Sequence, residues 1–214
     1  MESSAREFPP TLSTVYEAIE SDVIQLHFRY KLFKQLYATQ ATVDILNVVA
    51  PALFAEVRQI MLENIMMVIS QLTDPPTSRG PKGATLENLT MRRLVETIDA
   101  QETGLADRLG VPRLLEMLDG HAEPIRTVRN RMLAHNDWGR RTEPMPLVMK
   151  EHIDGTIEAM ERILRVTSLY FRDIDIRCEP FSHSDGDALI EILRQWQEFS
   201  KEAEPYRWGS QDEG

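Results

Sequence analysis

A chain of 214 residues with 42% hydrophobic and 27% charged residues has the composition of a soluble globular protein and can bury one sizeable core. This mixture excludes an intrinsically disordered chain, and the single cysteine, Cys178, excludes an intramolecular disulfide framework and fits a reducing compartment. The formal net charge of -10 opposes non-specific binding to nucleic acid, which depends mainly on lysine and arginine contacts.

Targeting and membrane segments are not expected. The first ten residues lack the apolar core of a signal peptide. The most apolar stretch, 43–72, is interrupted by polar and charged residues, which a membrane span does not tolerate. We therefore expect a cytoplasmic protein without membrane association, with one domain over 10–204 and flexible termini at 1–9 and 205–214.

The first third of the chain predicts two long helices. Apolar residues recur at three- and four-residue steps over 10–37, the spacing of an amphipathic helix. The same spacing continues over 41–72, where Pro51 either splits the run or lies in the first turn of its main part, 52–72. The breaker-rich stretch 74–83 predicts a loop. It lacks the Gly-Lys-Ser/Thr ending of a P-loop, so we interpret it as a surface connector.

The rest of the chain also predicts helices. They are expected over 85–101, in the segment that Val111 and Pro112 begin, in a motif helix with Pro124 near its beginning, over 144–173 and over 187–204, with a short extended piece at 177–181. The sequence thus predicts an all-α fold.

One helical segment concentrates guanidinium, amide and imidazole groups. Arginine supplies a permanent forked cation suited to phosphate oxygens, and histidine exchanges a proton near neutral pH. The centre of the segment is Arg129-Asn130, followed after four residues by His135. These residue types together indicate phosphate chemistry.

This Arg-Asn-x-x-x-x-His pattern resembles the signature of the HEPN superfamily, and the Ala-His-Asn-Asp continuation is most similar to its AbiU-like, abortive-infection branch. The resemblance covers about residues 12–172. It implies a HEPN-type bundle of long antiparallel helices, to which the helix over 187–204 is an addition. It also implies a homodimer with both motif copies in one cleft, and a ribonuclease of phage defence or of a toxin–antitoxin system with a possible antitoxin partner.

The resemblance assigns the catalytic roles to Arg129, Asn130 and His135. In RNA the 2′-hydroxyl lies beside its own phosphate, so a base and a cation suffice to cut the chain. His135 would act as general base or acid, Arg129 would hold the scissile phosphate, and Asn130 would orient the imidazole or bind a neighbouring oxygen. The expected products are a 2′,3′-cyclic phosphate and a 5′-hydroxyl, made without a metal ion or cofactor.

Helix geometry limits how these residues meet. On an unbroken α-helix Arg129 and His135 lie ~120° apart in projection. Either the helix breaks before His135, or an identical chain completes the site. Arg131, four residues from His135, shares its face and is a rival partner within one chain.

Neighbouring side chains have two interpretations each. Four arginines are candidate RNA contacts, although a solvated or ion-paired basic face explains them as simply: Arg126, Arg131, Arg140 and Arg141. Asp137 could support a hydrated cation, and more simply caps the next turn or pairs with an arginine. Trp138 is interpreted as a packing anchor. The five histidines are scattered without the spacing of a zinc site, so no metal site is predicted.

Charge is unevenly distributed along the chain. Residues 121–141 contain five arginines against two acids, whereas 187–214 contain seven acids against three basic residues. We hypothesise that the acidic tail restrains the basic cleft or rejects non-substrate RNA. Deletion of the residues after Glu204 without any change in RNA affinity or activity would refute this.

Two other classes of function remain open. One is a HEPN-like module that has lost activity and binds nucleotides, RNA or a partner protein, which the acidic net charge favours. The other is a helical interaction protein whose arginines pair with acids across a dimer interface. Pull-down of endogenous RNA separates them, because only the interaction protein should carry none.

Overall fold

A computed structural model of the chain describes residues 8–132, 146–177 and 185–203. Most of these residues are helical, and two three-residue strands, β1 and β2, form a small antiparallel sheet. The elements are α1 Pro10–Tyr37, α2 Gln40–Val49, α3 Pro51–Thr73, β1 Thr77–Arg79, β2 Thr85–Glu87, α4 Met91–Gln101, α5 Leu105–Arg108, α6 Val111–Met132, α7 Lys150–Arg172 and α8 Asp185–Ala203. The predicted all-α fold is confirmed.

The segment between α3 and α4 differs from the prediction. Instead of a loop over 74–83 and a helix from residue 85, β1 and β2 pair with Thr77 opposite Glu87, across a 3-10 turn at Pro81–Gly83. The helix begins only at Met91, because extended Thr90 accepts a hydrogen bond from the Arg93 amide and caps it.

Two further helix starts were misplaced. The helix predicted from residue 144 begins at Lys150, after extended Met149, whose amide donates to Nδ1 of His152. Pro146 cannot donate a helical hydrogen bond, which fits this late start. Pro124, expected near the beginning of a helix, lies inside α6, which runs without interruption from Val111.

The structure divides into two compact units, and the first consists of Met1–Arg29 and Glu63–Pro180 as far as they are described. In it α1 buries an apolar face at three- and four-residue spacing. The hydroxyl of Tyr16 contacts the Leu164 carbonyl at 3.4 Å, while Phe8, before α1, packs on Phe171. Residue numbers rise along α1 as they fall along α7, so these helices are antiparallel.

The second unit consists of Tyr30–Leu62 and the described part of Phe181–Gly214. Its core contains Leu36, Tyr37, Leu46 and Ile190. The hydroxyl of Tyr37 donates to the Phe54 carbonyl at 3.1 Å, which ties α1 to α3 within this unit. The single domain predicted over 10–204 stays a prediction. None of the described helices has an apolar stretch long enough to cross a membrane.

Candidate functional site

The motif lies at the end of α6. Arg129, Asn130 and Arg131 occupy its last turn, and Asn130 is exposed while both arginines are half-buried. The remaining predicted site residues lie outside the described residues: His135, Asp137, Arg140 and Arg141. The same holds for Trp138, which we interpreted as a packing anchor. The relation of Arg129 to His135 therefore stays a prediction.

Arg129 is anchored to the residue that follows α3. Its Nη2 donates to both carboxylate oxygens of Asp74, at 2.5 and 2.6 Å, and only 16% of its side chain is exposed. Its Nε is buried and has no hydrogen-bond partner among the described residues. The guanidinium thus has a fixed position, a property that suits an arginine that must bind an oxyanion.

Arg126 lies one turn before Arg129 in α6, and its guanidinium binds other residues of the chain. Its Nη1 donates to the carbonyl of Thr73, the last residue of α3, and to Oδ1 of Asp119, both at 3.1 Å, and its Nη2 donates to Glu123 at 3.0 Å. A cation at a helix C-terminus satisfies an otherwise unpaired carbonyl and opposes the negative end of the helix dipole. These contacts give Arg126 a structural role, and its contact with RNA stays a prediction.

The described part of the motif is close to electrically balanced. Asp119 also binds Arg92 of α4, so it bridges two arginines. Three arginines therefore meet three acids around the end of α3, namely Arg92, Arg126 and Arg129 with Asp74, Asp119 and Glu123. The basic balance of residues 121–141 is reduced here by two acids from outside that segment, Asp74 after α3 and Asp119 from an earlier turn of α6.

Asp74 and Asp119 are site residues that the sequence did not indicate. Asp119 lies seven residues before Arg126 on the same helix, and this spacing of two turns is a usable signal. Asp74 is 55 residues from Arg129, and no local pattern connects the two. Only the packing of α6 on the end of α3 brings them together.

An open cavity of about 720 Å³ adjoins this site, because Asp74 lines it as well. Its walls come from α1, α3 and the β1–β2 hairpin, and carboxamides from Gln25, Asn64, Gln71 and Asn88 make it polar. Two of its three carboxylates are in ion pairs, Asp74 with Arg129 and Glu87 with Arg93. Among the described residues, no group of three or more histidine, cysteine, aspartate or glutamate side chains forms a metal-binding cluster.

Comparison with known proteins supplies one match. The model of the AbiU2 family of HEPN domains matches residues 10–189, a span that contains Asp74, Asp119 and the whole Arg129-Asn130…His135 motif. No curated protein and no solved structure matches the chain.

Proposed function

Because the chain belongs to the AbiU2 family of HEPN domains, we propose that it is a metal-independent endoribonuclease of phage defence or of a toxin–antitoxin system. The observation that carries this proposal is the state of Arg129. Its guanidinium is anchored through one nitrogen, Nη2, to both carboxylate oxygens of Asp74, and only 16% of its side chain is exposed. Because this arginine is already held in place, the protein has to rearrange little when an anionic transition state forms.

In the proposed reaction, His135 removes the proton of a 2′-hydroxyl, and the resulting oxygen attacks the adjacent phosphorus. Arg129 stabilises the negative charge on the phosphorane oxygens. The leaving 5′-oxygen takes a proton from solvent water as the P–O bond breaks, which gives a 2′,3′-cyclic phosphate and a 5′-hydroxyl. A placed acid or base contributes about 10²–10⁴-fold, so these groups suffice for a modest nuclease. DNA lacks the nucleophile and is not cut.

Asp74 holds the arginine in this mechanism. Its carboxylate occupies Nη2 of Arg129 and leaves the rest of the guanidinium for the substrate. A side chain that is held in place loses less conformational entropy on binding than a free one. The exposed amide of Asn130, one residue further along α6, is then available to orient His135 or to bind the RNA.

Two copies of the chain complete the site in this proposal. Arg129 and His135 project ~120° apart if α6 continues unbroken, so a second copy placed against the same helix brings one residue of each motif together. The proposed active form is therefore a homodimer with two motifs in one cleft.

A second function is a HEPN module that binds RNA or nucleotides without cutting them. The balance of three arginines and three acids around the end of α3 favours it, together with the net charge of -10. Such a module would use the same cleft and would show binding that survives substitution of His135.

The test is incubation of the purified protein with a mixed RNA pool in excess EDTA. Cleavage with cyclic-phosphate ends that both Arg129→Ala and His135→Ala abolish supports the nuclease. The matched control is Arg108→Ala, which removes an exposed arginine paired with Glu102 and should leave cleavage unchanged. Cleavage that survives in both motif variants refutes the proposed site, and RNA bound intact by the folded protein supports the second function.

A further inference from the structure

A second open cavity, of about 540 Å³, lies on the other part of α6, near its N-terminus. Leu114 and Met117 of α6 face Val166 and Leu169 of α7 across it. Three arginines, Arg113, Arg162 and Arg165, also line it. We name this cavity, which Leu109 and Gly110 also line, the arginine groove.

The arginine groove brings together two arginines that have no ion pair among the described residues. Ion pairs engage most arginines of the described chain, and Arg165 itself binds Asp175 through Nε and Nη2. Arg113 and Arg162 have no ion pair or hydrogen bond with any described residue. In a chain with a net charge of -10, two arginines on one groove that no described acid pairs with favour the binding of an anion there.

Two further features narrow the ligand to a phosphate. Arginine presents donors in a planar fork that matches phosphate oxygens. The groove also ends at Leu109 and Gly110, directly before the first turn of the 22-residue helix α6. The positive end of that helix dipole adds to the arginine charges.

The apolar side of the groove indicates what the phosphate is attached to. Met117 and Leu169 are 37% and 40% exposed, so the groove presents apolar surface to a ligand. A thioether and leucine side chains make good contacts with a flat aromatic ring. The cavity volume is within the range of sites for small organic ligands, and its open shape does not enclose an acyl chain.

We propose that the arginine groove is a nucleotide-binding site, in which Arg113 and Arg162 bind the phosphate and the base lies against Met117 and Leu169. The nucleotide is either free or part of an RNA chain. This site lies on other residues than the Arg129 motif, so the proposal does not depend on cleavage.

The probes are the four nucleoside 5′-monophosphates, with inorganic phosphate and unphosphorylated nucleosides for comparison. Binding to the full chain is measured by titration calorimetry. At least one monophosphate should bind more tightly than either comparison compound. The double variant Arg113→Gln/Arg162→Gln should weaken it about tenfold or more. Arg79→Gln removes one positive charge from an exposed arginine outside the groove and should change binding little.

Five outcomes decide the proposal. Equal binding of monophosphate and inorganic phosphate overturns the base contact, and equal effects of the double variant and Arg79→Gln overturn the site. If a fatty acid binds to the groove and no nucleotide does, the proposed ligand class is wrong. Competition by a 5′-phosphorylated oligoribonucleotide supports an RNA source, and its absence alongside nucleotide binding supports a free nucleotide. Circular dichroism of the double variant confirms that it is folded.

Discussion

Nη2 of Arg129 lies 2.5 Å from Oδ1 and 2.6 Å from Oδ2 of Asp74, so the motif arginine is bound to the first residue after α3. The contact joins two elements that are 55 residues apart in the chain. It uses one nitrogen of the guanidinium for two oxygens, which leaves the other nitrogens outside the pair. The proposed active site is thus built into the packing between α3 and α6.

Asp74→Asn keeps the shape of the side chain and removes its charge. We expect the free energy of unfolding to fall by about 1–3 kcal/mol, because Arg129 is mostly buried and loses its counter-charge. Urea denaturation measures the change. Asp154→Asn, which removes an exposed pair with Lys150 on α7, should have a much smaller effect. Equal effects would contradict the buried character of the Asp74–Arg129 pair.

Arg126→Met keeps the aliphatic length of the side chain but loses three hydrogen bonds. The Thr73 carbonyl and the Asp119 carboxylate then lose a donor, and we expect the free energy of unfolding to fall by about 1–3 kcal/mol. Arg194→Met, which removes only an exposed pair with Glu191, is the control for thermal and urea unfolding. Weaker RNA binding without any loss of stability would instead show Arg126 to be an RNA contact.

Gly155→Ala tests the close approach of α6 and α7. A Cβ at Gly155 would lie 2.6 Å from the ring atoms of His121, so the helices or the ring must shift. We expect a loss of about 1–3 kcal/mol of stability. Gly120→Ala is the matched control, since a Cβ there meets nothing within 4 Å and the helix should gain up to about 1 kcal/mol.

The double variant Gly155→Ala/His121→Ala identifies the cause. Removal of the imidazole should restore most of the stability that Gly155→Ala loses, because the two changes are in contact and not additive. If the double variant is less stable than Gly155→Ala alone, the ring of His121 is not the obstacle.

Tyr37 should make the second unit sensitive to alkaline pH. Burial raises the pKa of Tyr37, against a smaller opposing effect of the Arg58 charge. A raised pKa in the folded state means a stabilising contribution that is present below the unfolded pKa of about 10 and is lost as the pH rises through the folded pKa. At pH 8, Tyr37→Phe should cost about 1 kcal/mol, because the hydrogen bond to the Phe54 carbonyl is lost.

The measurement is the difference in unfolding free energy between the wild type and Tyr37→Phe, from pH 8 to pH 11. This difference should shrink as the wild-type hydroxyl ionises, because phenylalanine has no proton to lose. A difference that stays constant over this range would show that the Tyr37 hydroxyl is not buried in solution.

Periodicity predicted the long helices well because each buries one apolar face. The helix expected over 10–37 coincides with α1, and Pro51 begins α3 as its first residue. Periodicity failed at the hairpin, where strands of three residues are too short to show a pattern. It also gave no sign of the four-residue helix α5. This helix begins directly after Gly104, whose backbone has a left-handed conformation.

The candidate site was predictable only in its linear part. Arg129 and Asn130 were predicted as site residues because their neighbours in sequence form a motif, and their role stays a prediction. Asp74 was not found, because its role depends on tertiary packing that no spacing rule encodes. The cluster at the end of α3 also shows why a basic segment is a poor guide to local charge, since acids from elsewhere can offset it.

Arg126 and Arg129 both bind the end of α3, and this predicts which mutations a genetic selection will recover. If expression of this protein harms its host, surviving cells will carry substitutions at Asp74 and Asp119 as well as in the motif. All of these substitutions weaken the same contact between the end of α3 and α6. Loss of toxicity at these aspartates would come with lower protein abundance. Motif alleles should therefore be compared at equal steady-state levels before any of them is classed as catalytically dead.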